Sequence, residues 1–452
     1  MSDEPREGAP AAGPERGADA GATDPPRKGA ARAGVLDLLR LGARIAGAAL
    51  RPGEKGDPGA AGCRWARELM DREGARSLEV KVPGRRVRIV GHPEPSEELL
   101  SGAPHAGGAG VGAPKKKAMS FLAPGALTVA EGPTWARLRA FNERVLCPGK
   151  AHPFADAFLR VVRREFAEPV RDPDDVRAAM GRSMVGIVLG EVDADADPAT
   201  DAAVLFDVVQ SPLRRKLLGF LYAGRRERLF RLLGEVYDAS GDGRPTLLAR
   251  ARSEAGDLSR EEVLQQVPHW MFTFTGSGTD LLGRTLALIT ARPEAHRRAV
   301  EEIREAGVPG DPAGVYRLRW LEACLREAGR LFPPVTKTFH RVGDGSGDGG
   351  TEAAHWFPLL QRDPDLGPTV DDFRPERWTE PEPDAAARAS NLFLRGPRAC
   401  PGEELILFVC KAALARQLGE AGLAPRASRL SRDPLPVSFP EGEARFTTQE
   451  DA

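Results

Sequence analysis

The chain has 452 residues, 41% of them hydrophobic, with 64 basic against 65 acidic side chains and a net charge of −1. That length can bury a large core, and the balanced charge argues against a nucleic-acid binder. Five cysteines, odd in number and without a C-x-x-C pair, argue against a disulfide framework or zinc site and point to a reducing, cytoplasmic compartment.

Residues 1–33 are mostly Ala, Gly, Pro and charged side chains, so this segment is expected to be disordered. Helical patterning starts at Val35. The stretch Val35 to Leu50 is interrupted by Asp37, Arg40 and Arg44, and no span reaches the roughly 18–20 apolar residues of a membrane helix. The N-terminus lacks a secretory pattern. A second helix is expected near Trp65 to Glu73. Strands follow at Leu78–Val82 and Arg86–Val90, around a Pro83–Gly84 turn, and a short helix at Glu94 to Leu100. The glycine-rich stretch His105 to Pro114 reads as a flexible loop, because Gly112 is followed by Ala113 and Pro114 rather than the Lys-Ser/Thr of a phosphate loop. Lys115, Lys116 and Lys117 read as a solvated basic patch. From about Thr134 the pattern is mainly helical. A long apolar helix spans roughly Arg260 to Thr290 and ends at Arg292-Pro293. Further helices are expected at Glu294–Glu305, within Asp311–Leu331 and at Gly402–Leu418, with irregular chain between Pro334 and Ser390. The expected architecture is one large domain, residues 34–452, mainly α with a small β part.

The strongest chemical signal is Phe393-Leu394-Arg395-Gly396-Pro397-Arg398-Ala399-Cys400-Pro401-Gly402. A loop of turn residues delivers a cysteine to the start of an apolar helix, where a helix N-terminus and backbone N–H groups stabilise a thiolate. Gly396 and Gly402 permit close backbone approach to a flat ligand. Arg398 offers a cationic fork to a carboxylate, and Phe393 an aromatic wall. A second Cys-Pro-Gly, at Cys147, has Ala140, Glu143 and Val145 where the first has Phe, Gly and Arg, so Cys147 reads as structural.

The segment Phe393 to Gly402 resembles the haem-binding loop of cytochromes P450, F-x-x-G-x-R-x-C-x-G, at every defined position. Glu327-Ala328-Gly329-Arg330 with Pro333-Pro334, Arg374-Pro375-Glu376-Arg377-Trp378, and Trp135 with Arg139 resemble three further motifs of that family, in its order. The resemblance implies a P450-like domain, with haem b between the long central helix and the cysteine-loop helix. It implies Cys400 as the thiolate ligand of iron, with Phe393, Gly396, Arg398 and Gly402 around it. It also implies Trp135, Arg139, Arg398 and, by position alone, Arg341 as partners of the haem propionates. Glu327, Arg330 and Arg377 are implied to form a buried charge triad.

The resemblance breaks on the central helix. The family's A/G-G-x-D/E-T motif has no register in Phe274-Thr275-Gly276-Ser277-Gly278-Thr279-Asp280-Leu281. With Gly276 as the motif glycine, Thr279 is the alcohol but the acid is missing. With Gly278, Asp280 is the acid but the alcohol is missing. Thr279 and Asp280 are the candidate catalytic groups for proton delivery, against a reading of both as ordinary helix polarity. The leading functional expectation is a monooxygenase inserting one atom of O2 into a small apolar organic molecule, by hydroxylation in secondary metabolism. Phe272, Phe274, Ser277, Val335, Thr336, Lys337 and the 105–122 loop are the candidate pocket. The alternatives are a haem-thiolate peroxygenase, isomerase or dehydratase, and a non-catalytic haem-binding accessory protein. Electrons are expected from separate donors, a ferredoxin and its reductase, with Arg395, Lys411 and Arg416 as candidate docking cations. A cytoplasmic monomer without membrane or nucleic-acid partners completes the expectation.

Overall fold

The computed structural model describes residues 30–49, 57–82, 85–94, 96, 100, 110–193, 196–211, 216, 219–241, 243–307, 310–342 and 351–450. Among the described residues helices dominate, beside one six-stranded sheet of order β1-β2-β3-β6-β5-β4. β1 (Ala30–Ala33) runs parallel to β2 (Ser77–Val82), which pairs antiparallel with β3 (Arg85–Val90), Leu78 opposite Ile89 and Val80 opposite Val87. β3 is parallel to β6 (Thr351–Trp356). β6 is antiparallel to β5 (Lys337–Val342), and β5 to β4 (Gly110–Val111).

The β2–β3 pair stands where alternation places it, the turn residues 83 and 84 lying outside the described residues. Most of the expected helix at 94–100 also lies outside the described residues. β1 corrects the expectation of disorder up to residue 33: Ala31 and Ala33 are buried, small enough for the strand to lie against the helix Pro58–Glu73, which adds Trp65, Leu69 and Met70 to the same cluster. β5 and β6 lie in chain read as irregular. Thr338, His340 and His355 are buried, so the inward positions of this hairpin carry polar side chains, and the hydrophobic alternation that marks a strand is absent.

The stretch after the glycine-rich loop also differs from expectation. Residues Ala113–Leu122 form a helix with Pro114 in its first turn and Met119 and Leu122 buried. Lys116 is held by Glu131 at 2.6 Å, so the three lysines are not one solvated patch.

The central helix begins with a capping box, Ser259 and Glu262 each accepting from the other's backbone. It runs through Arg260–Leu264, Val267–Phe272, a widened π-turn at Thr273–Gly278, and Thr279–Thr290. Gly278 permits the widening, since a Cβ there would sit 2.6 Å from the Thr273 carbonyl oxygen. The helix Pro293–Ala306 follows as expected. The expected helix within Asp311–Leu331 is split at Leu318 into Pro312–Arg317 and Arg319–Leu331. The last long helix, Glu403–Ala415, is buried along almost its whole length and packs against the central helix and against Arg319–Leu331. The main core gathers Phe141, Phe158, Phe166 and Phe408 around these elements.

Candidate functional site

Cys400 stands one turn before the helix Glu403–Ala415. Its loop is folded back on itself: the Cys400 N–H donates to the Phe393 carbonyl at 2.7 Å, and the Ala399 N–H to Gly396 at 3.0 Å. Two residues take left-handed backbone, Leu394 at φ 59° and Gly396 at φ 64°. Glycine does this freely, whereas the leucine stores strain of about 1–3 kcal/mol that the surrounding contacts must hold. Arg139 donates to the Ala399 carbonyl and, at 2.6 Å, to Glu143, so the tryptophan-bearing helix Gly132–Leu146 clamps the loop. Burial pushes the Cys400 thiol above its usual pKa. The Gly402 N–H, aimed at the sulfur, and the charges of Arg139 and Lys115 pull it back.

Cys400 is half-buried by surface yet deeply desolvated. His269, on the central helix, shows the same contrast more sharply. Its surface is exposed, yet burial drives its imidazole down to about 4. Both statements hold if these side chains face an internal cavity instead of bulk water. Lys115 belongs to the same space: burial and the nearby Arg398 bring its ammonium down to about 8. The cavity therefore lies between the central helix, the helix Ala113–Leu122, β5 and the cysteine loop.

Its rim is cationic and under-satisfied. Arg398 donates to Ala130 at 3.3 Å, and its guanidinium carbon lies 5.6 Å from the Trp135 ring centre. Its Nε is buried without a hydrogen-bond partner, and so is His340 Nδ1. Burial, His355, Lys115 and Arg398 together push His340 down to about 3. Arg341, chosen from sequence position, points to the other face of β5 and spends its guanidinium on Glu131 at 3.3 Å. His340 is the neighbour that turns inward. Strand alternation was the signal that could have separated the two, had the strand been legible.

Glu327 collects five hydrogen bonds from four residues at zero exposure. Arg330 binds it through two N–H groups at 2.9 Å each, Arg377 at 3.0 Å and the Trp378 indole at 2.9 Å, while the Arg374 backbone N–H adds a bond at 3.1 Å. The structure thus brings together the three residues of the expected triad and adds Trp378 and Asp384, the latter bound to Arg377. Gln361 extends the network, donating to the Arg330 carbonyl and accepting from the Asn391 N–H at the entrance of the cysteine loop.

Across the cavity, the Thr279 hydroxyl donates to the Phe274 carbonyl at 2.9 Å, five residues back, closing the π-turn from inside. Asp280 turns away to Arg284 at 3.0 Å. Burial outweighs that cation and holds the Asp280 carboxyl above its usual range. Thr279 is the hydroxyl that bonds across the widened turn, and among the described residues no acid is hydrogen-bonded to it. Phe206 packs on Phe272 at a tilt, ring centres 5.1 Å apart, and Phe274 is buried. Ser277 bonds back to the Thr273 carbonyl at 3.4 Å. Val335, Thr336 and Lys337 are exposed.

One other expectation changes. Lys411 is buried, 2.9 Å from Glu322, and presents no docking charge. Arg416 is bound to Glu420, and Arg395 to the Ser390 carbonyl at 2.9 Å. Cys147 caps its helix in left-handed geometry, its sulfur 3.6 Å from the Arg144 carbonyl. No helix among the described residues is long and apolar enough to cross a membrane.

The family model for cytochrome P450 matches residues 244–420, a span that includes Glu327, Arg330, Arg377 and Cys400. Curated relatives include cytochrome P450 4c3 of Drosophila melanogaster, 29% identical over 38% of this chain and 34% of its own length. The probable cytochrome P450 308a1 of the same species is 32% identical over 41% of each chain. Human cytochrome P450 4V2 is 29% identical over 39% of this chain and 38% of its own. The chain therefore spans well under half the length of these relatives. Among solved structures, a cyanobacterial CYP120A1 with retinoic acid bound is similar at TM-score 0.64 and 18% identity, covering 78% of this chain and 86% of that one.

Proposed function

We propose that this chain, which belongs to the cytochrome P450 family, is a haem-thiolate monooxygenase inserting one oxygen atom of O2 into a small, largely apolar organic substrate. Family and fold imply a haem whose iron takes a cysteine thiolate. The residues fit that group. Cys400 offers a desolvated sulfur steadied by one N–H, and the rim offers the unpartnered Arg398 Nε and His340 Nδ1, donors suited to carboxylates. Trp135 and Arg139 flank the same rim. When bound, the haem supplies the oxygen-activating chemistry, and the thiolate's electron donation favours O–O cleavage.

The protein's own residues then have separate tasks. Phe206, Phe272 and Phe274 wall the cavity with apolar surface. The Thr279 hydroxyl, held by the Phe274 carbonyl, can exchange that bond for one to a water or substrate hydroxyl within the π-opening. Asp280 acts, if at all, through Arg284. Electrons come from separate donor proteins of the ferredoxin type. Because no acid among the described residues is hydrogen-bonded to Thr279, peroxide-driven oxygenation or isomerisation is the second reading, and turnover without a reductant distinguishes it.

The observation that carries the proposal is the Cys400 loop, anchored by Phe393, Arg139 and Gly402 and open to a cavity under the widened central helix. The test is the absorption spectrum of reduced, carbon monoxide-treated protein. A strongly red-shifted Soret band, lost in Cys400→Ala, is expected. Protein without haem, or with the band of neutral histidine ligation, overturns it.

A further inference from the structure

Away from the haem cavity, His92, Asp363 and Asp365 offer one ligand atom each within 4.8 Å of one another. His92 stands just beyond β3, and Asp363 and Asp365 follow the short helix Phe357–Gln361. Asp363 is 3% exposed. One of its oxygens accepts the Asp365 N–H at 3.1 Å. The other, Oδ2, is buried without a hydrogen-bond partner, although it lies 3.0 Å from His92 Nδ1. The distance is that of an ion pair, yet the contact does not meet hydrogen-bond geometry.

That combination is what a shared cation produces. Two ligands at right angles on one ion, with bonds of about 2.1 Å, stand about 3.0 Å apart and point at the ion, not at each other. We propose that His92, Asp363 and Asp365 bind a divalent transition-metal ion through His92 Nδ1 and one oxygen of each carboxylate, with water in the remaining positions.

An imidazole in the donor set selects a first-row transition ion over magnesium or calcium. Asp365 is exposed, which leaves a route for the ion. Arg67, donating to the Leu359 and Arg362 carbonyls, lends a positive charge that offsets part of the carboxylate charge and tempers affinity. The ion would tie the end of β3 to the segment whose Gln361 grips Arg330 and the entrance of the cysteine loop, so its role is structural.

The experiment titrates Zn2+ into chelator-stripped, haem-loaded protein by calorimetry and follows the melting temperature. One equivalent is expected to bind and raise Tm. His92→Gln and Asp365→Asn are each expected to weaken it at least about tenfold, with the Soret spectrum unchanged. Asp365 is exposed, so its variant keeps the fold even if the His92 variant does not. Absence of saturable binding, affinity unchanged in Asp365→Asn, or binding lost in Cys147→Ser instead overturns the proposal.

Discussion

The two walls of the cavity are stabilised in opposite ways. The cysteine-loop side is tied down by contacts distant in sequence. Arg139 reaches Ala399, Gln361 reaches Asn391, and Glu327 gathers Arg330, Arg377 and Trp378. Around its widened turn the central helix satisfies its hydroxyls within itself, Thr279 to Phe274, Ser277 to Thr273 and Thr275 to Met271, and pairs Asp280 with its own Arg284. A loop that must hold a strained Leu394 and a desolvated sulfur needs an external frame. A helix widened at one turn holds its hydroxyls in local bonds that can be exchanged. Rigidity is built on one side and adaptability on the other.

The largest test of that contrast is Glu327→Gln. Removing the carboxylate leaves Arg330 and Arg377 buried without their counter-charge, and a loss of about 3–5 kcal/mol is expected, read by urea unfolding, with impaired haem retention. A loss under about 1 kcal/mol would mean that the loop does not depend on this frame.

Acid should expose the sheet side next. His355 is fully buried, with Nδ1 2.8 Å from Ser96, and burial lowers it to about 4; His152 is likewise lowered to about 4. A histidine lowered below its unfolded value of about 6.5 binds its proton more readily in the unfolded chain. Its contribution is therefore complete above pH 6.5 and lost as pH falls toward 4, at up to about 1.4 kcal/mol per pH unit for each group. Unfolding free energies at pH 7, 6 and 5 should show this slope, and His355→Asn should reduce it.

On the adaptable side, Thr279→Val leaves the Phe274 carbonyl without its donor, an expected cost of about 1–3 kcal/mol. It should uncouple oxygen consumption from product formation, whereas Asp280→Asn should change coupling less. Equal effects would return Asp280 to the proton path. The smallest effect is expected for Arg341→Ala, whose exposed pair with Glu131 contributes about 0–1 kcal/mol. Haem retention should barely change, while His340→Ala should weaken it. The reverse order would restore Arg341 as the rim residue.

Legibility follows the same division. The cysteine loop, the Glu327–Arg330 spacing and the Trp135–Arg139 spacing stand in the sequence as motifs, and the family resemblance, not the spacing, implied the triad. Trp378 and Asp384 were not assigned, since their roles depend on where the meandering chain returns. The β5–β6 hairpin was hidden because His340, Thr338 and His355 occupy its inward positions, so polarity masked the strand period. Lys411 was misread because helix position does not reveal that Glu322 lies opposite.

By itself the sequence determined the mainly helical class and the family resemblance that implies Cys400 as the sulfur ligand, because the motifs behind each depend on local spacing. Tertiary structure decided the rest. It chose His340 over Arg341 for the rim, committed Asp280 to Arg284, opened the central helix at Thr273–Gly278 and set His92 beside Asp363. Each of these depends on which distant groups meet in a buried space, where desolvation and hydrogen-bond geometry, not spacing along the chain, settle which side chain can stand there.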